Sequence, residues 1–501
     1  MAIPGEQLEV ARFLQDLAQA APIETHISAV FVGPDAVWKL KKAVRLPYLD
    51  FTSLEARRHF LTRELELNRP AAPGLYRDVA AVVRDGKDAL SLSANPGTGQ
   101  ALEWVLRMAR IPKEGFLDTM AKRGGLDPAL LDAIGDCVAH YHQATPRVDA
   151  WDSTRALLKI AAGNKISALA AGLPEASVQR WFDGITRALS GQASWLSRRG
   201  KEGFVRRAHG DLHLGNLCIW RGEPAPFDAL EFDEELATID VGYDLAFLLM
   251  DLDQQVARGA ANRVMNRYIA RTGDAELTRG LPAFLTMRAM IRSHVRAAAG
   301  EHVEGERYLS AALGYLDAKP AVLLAMGGLP GVGKSTIARI LAPELGRAPG
   351  AVLLRSDEVR KRLLGAAPEQ RLPEGAYDNA TNARVARELV LLSQAVATGG
   401  QAVIADATFL DPALRTSIAA SAAAIGVPFL GVWLHAPLAI LESRVLSRKR
   451  DASDATLAVL RRAARRDAGP MGWLRVDALA GNRAVEEIRS RIARLVERER
   501  T

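Results

Sequence analysis

The sequence predicts two domains, an α+β domain followed by an α/β domain with a parallel sheet. The chain has 501 residues, of which 49% are hydrophobic, and this length exceeds what one hydrophobic core normally serves. Residues 29–209 begin with strand-like alternation and then become mostly helical. After Pro320, short apolar strands alternate with helical stretches, the pattern of a parallel sheet. We therefore predict domains at residues 1–318 and 319–501.

Composition and charge argue against a disulfide-rich protein, a secretory signal and a membrane span. The net charge is +7 and acidic residues are interspersed among the basic ones, which favours a mildly basic surface for anionic ligands such as nucleotides. Two cysteines cannot form a disulfide framework, so we expect a reducing, cytoplasmic location. Residues 1–17 contain three acidic residues and lack the pattern of a secretory signal. Residues 416–441 carry no charged side chain, but Pro428 and Gly431 interrupt them, so we predict a helix and a buried strand there rather than a membrane span.

The predicted elements of the first domain start with a strand pair. Alternation predicts strands at residues 29–32 and 37–41 around a Gly-Pro-Asp turn. Helical spacing predicts a helix over residues 51–68. Two more strands are expected at residues 79–83 and 101–108. The second domain is predicted to contain strands at residues 321–326, 351–354, 402–405 and 428–434.

A glycine-rich motif follows the first strand of the second domain. Residues 328–335 read GLPGVGKS and match GxxxxGK[ST] between an apolar strand and a helix. In this motif the backbone N–H groups surround phosphate oxygens, the lysine neutralises phosphate charge and the hydroxyl reaches Mg²⁺. The alternative is a glycine-rich turn that binds nothing. The predicted ATP-binding residues are Gly328, Gly331, Gly333, Lys334, Ser335 and Thr336.

Two aspartates follow later strands of the second domain. Asp357 and Asp406 lie at the carboxyl ends of predicted strands, where ligands bind in parallel sheets. A carboxylate at Asp357 can accept the proton of an attacking hydroxyl, and Arg360 is placed to hold an anionic acceptor. Asp406 is placed to organise Mg²⁺. Helix N-capping is the alternative role for both aspartates.

A basic run occupies residues 438–466. Arg444 and Arg448 are four residues apart and share a helix face, so they can close over transferred phosphate as a lid. A solvated face or a nucleic-acid patch is the alternative. No aromatic residue interleaves with the run, which argues against single-strand binding.

Residues 321–501 resemble the P-loop kinases of small hydroxyl compounds and nucleic-acid ends, which include gluconate kinases, zeta toxins and polynucleotide 5′-kinases. These proteins share the phosphate-binding loop, an aspartate after the second strand and an arginine lid. By this resemblance Asp357 is the shared aspartate. The acceptor is then a small hydroxyl compound or, as an alternative, a nucleic-acid end.

A second constellation lies in the first domain. Residues 209–216 read HGDLHLGN, which places Asp211 and Asn216 in one predicted loop, and Asp228 follows twelve residues later. Kinase chemistry needs an aspartate that accepts the hydroxyl proton, with an asparagine and a second aspartate on the metal ions. Zinc ligation by His209 and His213 is the alternative, but no helix is predicted there and no glutamate adjoins the first histidine.

This loop closely resembles that of the aminoglycoside phosphotransferase and choline kinase type of protein-kinase-like fold, which reads HGDxHxxN. The resemblance implies that Asp211 is the catalytic base. It implies that Asn216 and Asp228 are metal ligands and that Asp244 is a structural or loop-anchoring aspartate.

The same resemblance implies a lysine on a strand and a glutamate on a helix that together hold the nucleotide phosphates. Lys39 and Glu64 are the candidates, with Lys41 and Glu66 as competitors, because Lys39 and Lys41 share a strand face. A dense glycine-rich loop over the phosphates is absent, since only Gly33 is available.

The order of the modules resembles a bacterial family in which an aminoglycoside-phosphotransferase-like domain is fused to a P-loop kinase or ATPase. The N-terminal stretch from residues 24–28 through residues 49–51 matches that family. We therefore expect transfer of the γ-phosphoryl group of ATP, with Mg²⁺, to a hydroxyl of a small polar acceptor such as a sugar or aminosugar. Two alternatives stay open: a kinase of nucleic-acid ends or of the toxin type in the second domain, and a nucleotide-gated module that regulates the other. No oligomeric state is predicted.

Overall fold

The computed structural model describes residues 2–46, 49–84, 88–94, 101–447 and 454–498. Contacts divide the chain into two compact units. The first comprises Met1–Ala133, His140–Ala156 and Trp195–Leu248, and the second comprises Ile134–Ala139, Leu157–Ser194 and Leu249–Thr501. The second unit thus joins helices from the first predicted domain to the P-loop region, and the boundary at residue 318 stays a prediction.

The strands run in chain order as follows: β1 Ile23–Glu24, β2 Ser28–Val32, β3 Ala36–Lys41, β4 Arg45–Leu46, β5 Leu49–Asp50, β6 Tyr76–Arg84, β7 Leu90–Ser93, β8 Ala101–Ala109, β9 Val205–Arg207, β10 Leu217–Trp220, β11 Glu223–Pro226, β12 Thr238–Asp240, β13 Leu323–Gly327, β14 Val352–Arg355, β15 Val403–Asp406, β16 Phe429–His435 and β17 Leu474–Asp477.

The α-helices are α1 Leu8–Ala18, α2 Leu54–Asn68, α3 Leu117–Lys122, α4 Pro128–Ala144, α5 Ser153–Ala170, α6 Glu175–Ser190, α7 Ala193–Lys201, α8 Glu234–Ala237, α9 Val241–Gln255, α10 Arg258–Thr272, α11 Leu281–Ala298, α12 His302–Tyr315, α13 Lys334–Leu341, α14 Ser356–Leu363, α15 Asn379–Thr398, α16 Pro412–Ala424, α17 Leu438–Leu446, α18 Leu457–Arg465 and α19 Asn482–Arg498.

A six-stranded antiparallel sheet forms the first unit's main layer, in the order β1-β2-β3-β8-β6-β7. Alternate residues of its strands enter two hydrophobic cores, as the twofold side-chain period of a strand requires. Leu40 and Val105 pack with Leu14 of α1 on one face. Leu106 packs with Leu61 of α2 on the other. The two central strands, β3 and β8, are therefore covered on both faces.

Helix α2 buries an unexpected face. Ser53 caps its first turn by accepting a hydrogen bond from Ala56 N at 3.1 Å. The buried residues Arg57, Leu61, Glu64 and Asn68 recur at intervals of three and four, which places them on one side of the helix. Three of these four residues are polar, and two of them, Arg57 and Glu64, are buried charged side chains.

A five-stranded parallel sheet lies in the second unit, in the order β14-β15-β13-β16-β17. The central strand β13 is buried along its whole length and ends at Gly327, directly before the P-loop motif. Apolar residues of the strands and of the helices α13 and α19 form one core around it. The predicted α+β and parallel α/β folds are thus confirmed, and β17 is an edge strand that the sequence did not reveal.

The uncharged segment at residues 416–441 is divided between α16, β16 and the start of α17, which confirms the predicted helix and strand. No helix within the described ranges is both long and apolar enough to span a membrane.

Two asparagines of α10 cover the outer edge of β14. Asn266 accepts a hydrogen bond from Leu353 N at 2.7 Å and donates to Ala351 O at 3.2 Å. Asn262, which is buried, donates to Ala351 O at 3.0 Å. An edge strand exposes unpaired N–H and C=O groups, and here the two amides satisfy Leu353 N–H and Ala351 C=O. Helix α10 therefore completes the parallel sheet of the second unit.

We expect Asn266→Ala to destabilise the protein by about 1–3 kcal/mol, because it leaves Leu353 N–H without its acceptor. Urea unfolding followed by circular dichroism measures the change. Asn379→Ala, at an exposed position of α15, is the matched control and should leave the unfolding midpoint nearly unchanged. Equal midpoints for the two variants would contradict the role of α10.

Candidate active sites

A buried ion-pair arrangement organises the first unit. Lys39, on the central strand β3, places Nζ 2.7 Å from Glu64 Oε1 and 2.6 Å from Asp228 Oδ1. Burial would lower the pKa of Lys39, but the carboxylates of Asp228, Glu64 and Glu231 outweigh it and raise the pKa well above its usual value. Lys39 is thus held as a cation between two acidic residues that are far apart in sequence.

The competing lysines differ in side-chain exposure, and so do the competing glutamates. The side chain of Lys39 is 12% exposed, whereas that of Lys41 is 0% exposed and contacts Glu64 and Glu231. Glu64 is fully buried, while the side chain of Glu66 is 60% exposed and lies 3.6 Å from Arg63. Lys39 and Glu64 line the cavity described below, and the geometry therefore favours this pair over the competitors.

Asp228 has a strained backbone. Its φ is +61°, a value that residues other than glycine rarely adopt and that often marks a functional position. Tyr76 Oη accepts the N–H of Asp228 at 2.9 Å, and the next residue, Ala229, donates its N–H to Asn68 Oδ1 at 2.9 Å. Burial would raise the pKa of the Asp228 carboxyl, but Lys39 outweighs it and lowers the pKa. Asp228 is therefore held as an anion.

The loop at residues 209–216 brings Asp211 and Asn216 together. Asn216 Nδ2 donates to Asp211 O at 2.9 Å and to Asp211 Oδ2 at 3.0 Å. His213 Nε2 lies 3.4 Å from the same carboxylate oxygen, and His213 Nδ1 accepts from Gly215 N at 3.0 Å. Asp211 therefore has its orientation set by neighbours within its own loop.

Asp244 holds the start of the loop at residues 209–216. Its carboxylate accepts the N–H groups of His209 and Gly210, both at 3.0 Å, and lies 3.1 Å from His142 Nε2. Gly210 has a φ of +84°, and a Cβ there would lie 3.1 Å from Leu230 Cβ, so glycine suits this position. The geometry is that of a loop-anchoring aspartate.

The surroundings of His209 favour its neutral form. It is fully buried, and burial lowers its pKa despite the nearby carboxylates of Asp244 and Asp211. Its Nε2 lies 2.9 Å from Phe227 O, and its Nδ1 accepts the N–H of Asp211 at 3.3 Å. These contacts fix Nε2 as the protonated nitrogen. Both histidines of the zinc alternative thus have hydrogen-bond partners, His209 in Phe227 and Asp211, and His213 in Gly215.

A cavity of about 950 Å³ opens beside these residues in the first unit. Its polar wall includes Lys39, Glu64, Asp211 and Asp228. Its other walls are largely apolar, with Val30, Val32, Val37, Met108, Ile111 and Phe227 among the lining residues. Such a volume, with an apolar body and a few charged groups at one end, suits a nucleotide.

The turn between β1 and β2 borders the same cavity through Thr25, His26 and Ile27. No glycine is present in it. Thr25 Oγ1 accepts Ser28 N at 3.0 Å, and the buried Lys42 donates to Thr25 O at 2.8 Å. Gly33 lies instead in the turn that follows β2. Hydrogen bonds to Thr25 thus hold this turn at the border of the cavity.

The P-loop of the second unit connects β13 to α13. Gly328 has a φ of +138°, and a Cβ there would lie 2.5 Å from Leu434 O, which excludes a side chain. Lys334 begins α13, and its Nζ donates to Gly328 O at 3.0 Å and to Leu329 O at 3.2 Å. Thr336 N donates to Gly333 O at 3.1 Å in the first helical turn. The loop therefore has a helix N-terminus and a lysine at one place, the combination that binds phosphate.

Ser335 and Asp406 meet beside this loop. Ser335 Oγ donates to Asp406 Oδ2 at 2.5 Å. The contact arises because β13 and β15 are neighbours, with Met326 in register with Asp406. Asp406 is the last residue of β15 rather than a helix cap. A hydroxyl and a carboxylate at this place are oxygen ligands of the kind that Mg²⁺ prefers.

Arg355 and Glu358 are part of this site, although sequence reasoning did not select them. Arg355 donates to Glu358 Oε1 at 3.1 Å and lies 3.8 Å from Asp406 Oδ2. Burial raises the pKa of Glu358, against the effect of Arg355. The only sequence signal was their place beside Asp357 at the end of a strand.

Asp357 lies in the first turn of α14, whose N-cap residue is Arg355, so it is not the N-cap. Arg360 is buried, and it donates to Ala376 O at 2.9 Å and to Asn382 Oδ1 at 2.8 Å. Its guanidinium lies over the ring of Tyr377, 4.6 Å from the centroid. Arg360 thus holds the segment before α15, and its role towards an acceptor stays a prediction.

The candidate lid is described only in part. Arg444 of α17 donates to Val332 O, in the P-loop, at 3.3 Å, so it is placed beside the phosphate-binding loop. Arg448 lies outside the described residues. Arg461 of α18 is exposed and pairs with Glu442 at 2.7 Å.

The chain is similar to one protein family and to related bacterial proteins. The family described as AAA domain matches residues 323–470. An uncharacterized protein of Mycobacterium tuberculosis (strain ATCC 25618 / H37Rv) is 28% identical over 468 residues, 89% of each chain.

Among solved structures, a gluconokinase from Sinorhizobium meliloti 1021 is 20% identical with a TM-score of 0.25, and the match covers 36% of this chain and 97% of that one. The GDP complex of an aminoglycoside 2'-phosphotransferase is 14% identical with a TM-score of 0.37, covering 61% and 98%. The matched region at residues 323–470 is thus similar to the AAA domain family.

We expect Gly328→Ala to destabilise the protein by about 1–3 kcal/mol, because the backbone there is closed to a Cβ. Thermal unfolding measures the effect. The matched control is Gly314→Ala in α12, where a Cβ meets nothing within 4 Å, and it should be neutral or slightly stabilising. A Gly328→Ala protein as stable as the wild type would contradict the described loop.

We also expect acid destabilisation from His209. An unfolded histidine takes up a proton below about pH 6.5, whereas burial lowers the pKa of His209 in the folded state. The unfolded state therefore binds more protons below that pH, and stability falls as the pH falls, by at most about 1.4 kcal/mol per pH unit.

The urea midpoints at about pH 5.5 and about pH 7.5 should differ less in His209→Gln than in the wild type. His302→Gln, which changes an exposed histidine, should keep the wild-type difference. An unchanged difference in His209→Gln would contradict a neutral His209.

Proposed function

We propose that this protein is an ATP- and Mg²⁺-dependent phosphotransferase with one candidate site in each unit. It moves the γ-phosphoryl group of ATP to a hydroxyl of a small polar acceptor such as a sugar or aminosugar. The observation that carries this proposal is the position of Lys39 between Glu64 and Asp228, on the wall of a cavity that Asp211 also lines. Phosphoryl transfer needs this combination of a phosphate-binding cation, metal-binding oxygens and a base.

In the first unit Lys39 binds the nucleotide phosphates. Asp211 accepts the proton of the acceptor hydroxyl while the hydroxyl oxygen forms a bond to the γ-phosphorus. The bond between the γ-phosphorus and the oxygen of the leaving ADP breaks. The amide oxygen of Asn216 and the carboxylate of Asp228 are ligands that fit Mg²⁺. Bound there, Mg²⁺ neutralises charge on the phosphates. Asp244 and His209 keep the loop of Asp211 in place.

In the second unit the backbone N–H groups of residues 328–335 and Lys334 bind the phosphates. Ser335 and Asp406 fit Mg²⁺ through their oxygens. Asp357, in the first turn of the helix that follows β14, accepts the acceptor's proton. Arg444 stabilises the charge of the transferred group.

A nucleic-acid end is the second candidate acceptor for the second unit. The observation that favours it is the exposure of Arg461, Arg462, Arg465 and Arg466 along and after α18. Basic side chains on one helix attract phosphate backbones. A further alternative is that one unit binds nucleotide only to regulate the other.

The test is transfer of label from γ-labelled ATP, with Mg²⁺, to a panel of hydroxyl metabolites and a 5′-hydroxyl oligonucleotide. The full chain is used because α10 completes the sheet that carries the P-loop. We expect Asp211→Asn or Lys334→Ala, or both, to lower transfer by roughly 10²–10⁴-fold. The variant that loses activity identifies the site that acts on that acceptor.

Lys319→Ala, at an exposed lysine outside both sites, is the control and should transfer label as the wild type does. Label on the oligonucleotide alone would favour the nucleic-acid alternative. Transfer that neither Asp211→Asn nor Lys334→Ala reduces would refute both sites.

A further inference from the structure

Two lysines of β3 hold the same carboxylate. Lys39 Nζ lies 2.7 Å from Glu64 Oε1, and Lys41 Nζ lies 3.1 Å from Glu64 Oε2. Residues two apart on a strand project to the same face, so both side chains reach α2. They differ in their access to the cavity, because Lys39 lines it and Lys41 is fully buried behind it.

Lys41 also has a partner on a third element. Its Nζ donates to Glu231 Oε1, and Glu231 follows Asp228 by three residues. The ring of Phe51 covers the same ammonium group, 5.2 Å from ring centroid to Nζ. Lys41 therefore joins β3, α2 and the segment that carries Asp228.

The charges of this group explain why Lys41 contacts Glu64. Lys39 and Lys41 face Glu64, Asp228 and Glu231, so the group contains one more negative than positive side chain. Nucleotide phosphates would compete for Lys39. A buried carboxylate that lost its cation would be strongly destabilised, and burial already raises the pKa of Glu64 against the effect of the lysines. Lys41 remains beside Glu64 whichever way Lys39 turns.

We infer that Lys41 is a positioning residue for the nucleotide. It fixes Glu64 through the second carboxylate oxygen, so that Lys39 can leave Asp228 for the phosphates while Glu64 stays in place. This inference rests on the proposed nucleotide site of the first unit. It gives the second lysine a role separate from that of Lys39, because Lys41 does not line the cavity.

The experiment compares ATP with adenosine by calorimetry, using the full chain with Lys334→Ala to silence the P-loop. In this background Lys41→Met should weaken ATP binding about tenfold or more and change adenosine binding by less than about twofold, because adenosine has no phosphates for Lys39. A general distortion of the cavity would weaken both ligands together.

A second variant keeps the test decisive if Lys41→Met does not fold. Lys41→Met with Glu231→Gln removes one charge of each sign, which a buried ion pair tolerates better than loss of one partner. It should show the same selective loss of ATP affinity. Lys201→Met, at an exposed lysine, should bind both ligands as the background chain does.

Equal losses for ATP and adenosine, or unchanged ATP affinity, in the folded variant would overturn the role of Lys41. Failure of the background chain itself to bind ATP would instead overturn the proposed nucleotide site, and the inference with it.

Discussion

The buried carboxylate of Glu64 is the constraint on which the first unit depends. A carboxylate with no exposed surface is stable only when its charge is compensated, and here two lysines of β3 compensate it. This requirement fixes the rotation of α2 relative to the sheet. It also explains why α2 buries Glu64 at a position where an ordinary amphipathic helix would bury an apolar residue.

The second unit depends on a different constraint, the common edge at which parallel strands end. Asp406 and Arg355 are paired in register on neighbouring strands, and the P-loop leaves the strand on the other side of β15. The hydroxyl of Ser335, the last residue of the P-loop motif, therefore reaches Asp406. At the outer edge of the same sheet the asparagines of α10 bond to Ala351 O and Leu353 N. The strand that leads to Asp357 is therefore held by a helix nearly a hundred residues earlier in the chain.

Sequence patterns predicted most of the fold but only part of the candidate sites. Four strands of each sheet were predicted, because apolar alternation and apolar runs are local signals. Strands β1 and β7 of the antiparallel sheet were not predicted. The short edge strand β17 buries only Val476 completely and gave no such signal. Lys41 and Glu231 were not recognised as a pair, because a buried charged residue looks like a surface residue until its partner is known. Arg355 and Glu358 were missed for the same reason.

What the sequence by itself determined was the set of local motifs: the P-loop, the HGDLHLGN loop and the strands and helices that carry them. These motifs can be recognised in the sequence because a turn or a helix terminus requires particular residues within a few positions. Only the tertiary structure decided that Lys39 faces the cavity while Lys41 is buried, and that Glu64 rather than Glu66 meets them. Both choices depend on elements that approach from far along the chain, as in the contact of Lys39 with Asp228, which lies 189 residues away.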